Sequence, residues 1–110
     1  MMSERAVRVT FASSEDPNEG MHIDLVLNGA QVKRGTEYFG VWFDNSENTR
    51  CPFVLNRDGQ LDYGAGYEDE DQFYGTNLLE AAFSEGATVT CRFEDEDIAY
   101  KIAKITPLAA

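Results

Sequence analysis

The side chains with the most chemical potential in this chain are carboxylates. Its 110 residues hold twenty Asp and Glu against nine Lys and Arg, a net charge of −11. Eight of the acids stand in two boxes of one pattern, YEDEDQFY from Tyr67 to Tyr74 and FEDEDIAY from Phe93 to Tyr100. Acids at that density can coordinate a hard cation, perform general acid–base work, or present a negative surface to a partner.

The spacing argues against calcium. An EF-type loop needs Asp or Asn at positions 1, 3 and 5, Gly at 6 and Glu at 12. Setting Gly59 of Asp58-Gly59 at position 6 puts Val54 at the first position and Ala65 at the twelfth, and neither supplies a carboxylate. Two distant boxes could still meet and hold a divalent cation weakly. Transition metals need His or Cys donors, and the chain offers His22, Cys51 and Cys91 without a Cys-x-x-Cys. Neither a metal nor any other cofactor is therefore expected.

Nucleophilic catalysis would require a base beside Ser or Cys, and one histidine is poor provision for that. Neither Gly-x-Ser-x-Gly nor a Gly-rich phosphate loop occurs, and in Gly64-Ala65-Gly66 the third glycine of a dinucleotide fingerprint is replaced by Asp69. Carboxylate pairs for glycoside hydrolysis could hide among so many acids. The reading is nonetheless of a protein without enzymatic activity.

Phosphate contacts supply much of the affinity of nucleic-acid modules, and nine bases against twenty acids do not build a general basic groove. A local patch of Lys33, Arg34, Arg50 and Arg57 is the residual possibility. Direct nucleic-acid binding is not expected. The charge is uneven: residues 1–60 hold nine acids against six bases, and residues 61–110 hold eleven against three. Between Asp62 and Asp97 the one base is Arg92.

In the acidic half, Asp62, Tyr63, Tyr67, Glu68, Asp69, Glu70, Asp71, Phe73 and Tyr74 interleave steering charge with aromatic anchors, and Glu94, Asp95, Glu96 and Asp97 repeat the charge. These thirteen residues form the candidate partner-binding set. The expected function is an acidic protein-binding module that engages a basic surface of another protein. Small acidic inhibitors of nucleic-acid-processing enzymes, immunity proteins and antitoxins share this size and charge, which is an analogy of composition alone. The alternative is an assembly subunit of a phage or secretion particle, with the apolar stretch Thr36–Phe43 as its interface. A third reading is a weak cation binder or small enzyme built on the acid clusters.

The elements that must position these residues read as strands. Arg5–Phe11 and Met21–Leu27 alternate apolar and polar, the period of a half-buried strand. A weak strand follows at Ala30–Lys33, then one at Thr36–Phe43 with two apolar faces, either Tyr38, Gly40 and Trp42 or Phe39, Val41 and Phe43 pointing inward. Arg50–Leu55 returns as a strand whose Pro52 suits a free edge, and Asn56–Gly59 turns into Gln60–Tyr63. The spacing predicts one short helix over residues 77–85, with Asn77 as cap, Glu80 as its reciprocal partner and Gly86 as the stop. Ala87–Phe93 and Ile98–Ile105 complete the list, joined across the second acidic box.

Six to eight short strands with one helix and no linker predict a single all-β domain, an antiparallel barrel or sandwich, with a four-strand α+β layout as the alternative. The charged start MMSERAVRVTF has no apolar core of a secretory signal, and no run approaches the length of a membrane span. A cytoplasmic protein away from membranes, with reduced cysteines, is the expectation.

Overall fold

A strand buries alternate residues, and the first two strands follow that rule. In β1 (Glu4–Ser13) Val7, Val9 and Phe11 are buried and stand opposite Leu25, Ile23 and Met21 of β2 (Glu19–Asn28). The outward row pairs Arg8 with Asp24 through a two-point ion pair, Nε to Oδ1 at 2.6 Å and Nη2 to Oδ2 at 2.9 Å. The computed structural model describes residues 4–63, 73–93 and 96–108, with Phe73, Tyr74 and Phe93 described through their backbone.

The remaining strands are β3 (Gln31–Val32), β4 (Tyr38–Asp44), β5 (Thr49–Leu55), β6 (Gln60–Asp62), β7 (Phe73–Gly75), β8 (Thr88–Phe93) and β9 (Glu96–Pro107). All belong to one antiparallel sheet in the order β7-β6-β5-β4-β2-β1-β9-β8, with β3 as a short flap on β2. Every pairing joins sequence neighbours except β1 with β9 and β2 with β4, which skips the β3 flap. The sheet curls until its ends meet, where Thr76 bridges to Cys91. Asn77 N–H donates to the Thr90 carbonyl at 3.2 Å and Asn77 Oδ1 accepts from Thr90 N–H at 2.8 Å, which ties the seam. The expected all-β antiparallel fold, barrel or sandwich, is observed as a curled meander sheet whose ends meet at one bridge. The α+β layout is not, and the three-residue β7 had no signal in the sequence.

Along β4 the ambiguity of two apolar faces is resolved in favour of Tyr38, Gly40 and Trp42. They face Leu55, Phe53 and Cys51 of β5. Gly40 explains the choice, because a Cβ there would lie 2.5 Å from Cζ of Phe53 and 2.7 Å from the His22 carbonyl oxygen. The phenyl ring occupies the space a side chain would need. Trp42 Nε1 donates across the interior to the buried Tyr100 hydroxyl at 3.2 Å. Tyr100 itself faces Val89, and Phe93 pairs with Glu96. On β5, β6 reaches Val54 and Leu55 alone, so among the described residues Pro52 stands at a free edge, where its missing N–H costs no ladder bond.

The helix expected over residues 77–85 is not formed. Ala81 N–H bonds the Asn77 carbonyl at 3.0 Å, giving one turn, but Phe83 N–H donates instead to Ala30 at 2.6 Å and the Leu79 carbonyl accepts from Arg34 at 3.2 Å. Tertiary partners thus take the groups that would have extended the helix. Asn77 spends its side chain on the β8 seam rather than on a cap. The apolar pattern is still used: Leu78, Leu79 and Phe83 are buried as a plug, and Phe83 meets Phe11 edge-on at 6.2 Å. Gly86 is left-handed as expected, with φ of 92°, in a turn from Ser84 to Ala87.

The register makes a clear demand on Gly40. Gly40→Ala should lower stability by roughly 1–3 kcal/mol, the range for overpacking a filled interior, whereas outward Val41→Thr should stay within about 0.5 kcal/mol. Chemical denaturation of both variants checks this, and a silent Gly40→Ala would contradict the assigned face.

Candidate functional site

Strict antiparallel alternation decides where the connections go. Strands β1, β4, β6 and β8 run one way and β2, β5, β7 and β9 the other, as each pairing requires. The β1–β2, β4–β5, β6–β7 and β8–β9 connections therefore leave the sheet at one end. Contacts agree: Asn45 N–H donates to the Asn18 carbonyl at 2.9 Å, and Ser14 N–H to Ala99 at 3.0 Å, near the start of β9. All four connections are acidic. They carry Glu15 and Asp16, then Glu47, then the first box, then the second.

The strand ends that flank the two boxes, Asp62 and Phe73 for the first and Phe93 and Glu96 for the second, thus open at one rim. Asp62 ends β6 opposite Phe73 of β7, with Tyr74 opposite Leu61. Tyr63 packs on Phe53 with ring centroids 5.4 Å apart. Glu96 and Asp97 open β9 and are exposed, and Asp97 approaches Arg92 at 3.9 Å. Arg92, Asp97 and Glu80 also line a cleft of about 270 Å³ over the β7–β8 seam. Tyr67, Glu68, Asp69, Glu70, Asp71, Glu94 and Asp95 lie outside the described residues, and the strand ends they join lie at this rim.

Sequence reasoning missed the other half of the rim. The carboxylate oxygens of Asp16, Glu19 and Asp44 lie within 4.8 Å of one another, the one grouping of potential metal ligands among the described residues. Asp44 is buried at the end of β4, where its Oδ1 accepts from Ser46 N–H at 2.9 Å and Ser46 Oγ at 2.6 Å. Those bonds hold its carboxyl below the usual range. Glu19 is pushed the other way, first by burial and then by Asp16, Asp44, Glu15 and Glu47. Three carboxylates fall short of the six to eight oxygens that calcium prefers.

Arg92 stands at the rim beside Asp97, and Lys33, Arg34 and Arg57 lie toward the other end. Lys33 pairs with Glu4 at 3.2 Å, Arg34 reaches Leu79 and Glu80, and Arg57 sits in the β5–β6 turn. The basic patch read from Lys33, Arg34, Arg50 and Arg57 is divided, because Arg50 is on β5 with its guanidinium 5.5 Å from the Phe43 ring. His22 is half-buried beside Phe43, and burial and Arg8 lower its affinity for a proton. Cys51 and Cys91 are free thiols, and burial pushes Cys91 up to about 11, which leaves it a poor nucleophile. Among the described residues no helix is long and apolar enough to cross a membrane.

Fold and site together define an antiparallel meander barrel with an acidic rim. No family model, curated protein or solved structure matches the chain.

The opposed shifts at the rim have a pH signature. Ionised Glu19 costs the folded state stability above its raised folded value, and that cost disappears as pH falls through that value toward its ordinary 4.5. Asp44 acts oppositely, its contribution being lost as pH falls through its depressed value. Glu19→Gln should raise stability at pH 7 by about 0.5 kcal/mol, roughly 2–4 °C in midpoint, with the gain shrinking toward pH 4.5. Thermal melts across that range test it; a loss at pH 7, or a gain independent of pH, would contradict the repulsion.

Proposed function

We propose that this protein is a non-enzymatic binding module whose acidic rim engages a basic surface of another protein. The observation that supports the reading is that the strand ends flanking four acidic connections lie at one end of the barrel. Charges so gathered sum into a field that a basic partner meets before contact, and they raise the association rate. Tyr63 on Phe53, at the base of the first box, gives the rim an aromatic footing beside Asp62. The same face repels nucleic acid and anionic lipid, which favours a protein partner. Inhibition of a nucleic-acid-processing enzyme would fit, since carboxylates spaced around a rim can occupy a cleft that ordinarily takes phosphates.

The test compares two charge-neutralised variants in association kinetics with a basic partner captured from lysate at low salt. Glu68→Gln, Asp69→Asn, Glu70→Gln and Asp71→Asn together should slow association about tenfold and flatten its salt dependence, and Glu15→Gln with Glu47→Gln should do so more weakly. Unchanged association rates in the first variant would reject the acidic-rim model.

A further inference from the structure

A second surface lies on the outer wall, below the rim. The outward residues of β4 are Phe39, Val41 and Phe43, and opposite them on β5 stand Val54, Pro52 and Arg50. Phe39 is 73% exposed, an unusual position for a large aromatic side chain. Beside it runs a cleft of about 250 Å³ lined by Phe39, Pro52, Phe53, Val54, Asp62 and Tyr63. A ring that projects and a hollow that could take a ring therefore adjoin on one patch.

We propose that this wall binds a second copy of the same chain, Phe39 of each copy entering the cleft of the other about a two-fold axis. Two observations favour that occupant. A protruding ring next to a ring-sized hollow is self-complementary, which is what a two-fold contact requires of a single patch. The wall is also close to electrically balanced in a chain of net charge −11: Arg8 and Asp24 cancel in their two-point pair, and Arg50 over Phe43 is offset by Asp62 at the cleft. A two-fold axis perpendicular to the strands sends the two acidic rims to opposite ends, so the copies meet without opposing their charged faces. A basic partner would find little to attract it on this neutral wall.

The patch is three strands wide and about five residues long, smaller than the roughly 800 Å² per partner of a standard stable interface. The dimer is therefore weak and depends on concentration. This inference does not rest on the rim's function, since the contact covers Asp62 and Tyr63 at the rim's foot and leaves Glu15, Asp16, Glu47, Glu96 and Asp97 uncovered.

Sedimentation equilibrium between about 10 and 500 μM tests it, at low and at physiological salt. The wild type should pass from monomer to dimer over that range and associate more tightly at the higher salt, where the net charge is screened. Phe39→Ser should weaken dimerisation roughly 10- to 30-fold, the effect of removing a central aromatic anchor, with an unchanged circular dichroism spectrum. Glu15→Gln with Glu47→Gln should leave the dimer intact or strengthen it. A wild type that stays monomeric at 500 μM, or a dimer indifferent to Phe39→Ser, would overturn the proposal.

Discussion

The pairing of the first strand with the last is the constraint on which the rest of this structure depends. Without β1 against β9 the chain is an open meander with two exposed edges; with it, the wall runs round to a seam that Thr76 and Cys91 bridge. The pairing is long, from Val7 opposite Pro107 to Ser13 opposite Tyr100, and it absorbs one irregularity. Ala103 is an extra residue in β9, so that Val9 faces Ile105 and Phe11 faces Ile102 with both pairs still turned inward. A bulge of this kind bends a strand and re-aims its side chains, which a closing wall needs. Edges that are paired also cease to be templates for aggregation.

Parity follows from closure. In an antiparallel meander every second connection leaves at the same end, so Glu15, Asp16, Glu19, Asp44, Glu47, Glu96 and Asp97 share one rim although they are scattered in sequence. Burial and then the neighbouring acids hold the Glu19 carboxyl above its usual range, while Ser46 donates twice to Asp44 and holds it below. Charge kept at one rim leaves the wall of β2, β4 and β5 nearly neutral. The barrel thus presents two surfaces of different chemistry, an acidic rim and a nearly neutral apolar wall.

Much of the architecture is legible from residue alternation, because β1, β2, β8 and the β5–β6 turn are written in local signals. Gly59, with φ of 89°, sits where the turn sequence places it. What local signals could not supply were the decisions made between distant segments. Asn77, Glu80 and Gly86 spell a helix, yet Ala30 and Arg34 claim the backbone groups that would have continued it. The inward face of β4 was ambiguous until Phe53 filled the space over Gly40. At the rim, the boxes were visible as composition, but Asp16 in a loop and Glu19 and Asp44 at strand ends become neighbours only through strand parity.

The central claim is that topology gathers these acids into one binding rim. Amide shift mapping with an oligolysine peptide at low salt tests it most directly. The account predicts perturbations at residues 14–19, 44–48 and 96–97, lost on adding salt, with residues 29–34 and 56–59 unmoved. Shifts spread evenly over both ends, or centred on the far end, would contradict it.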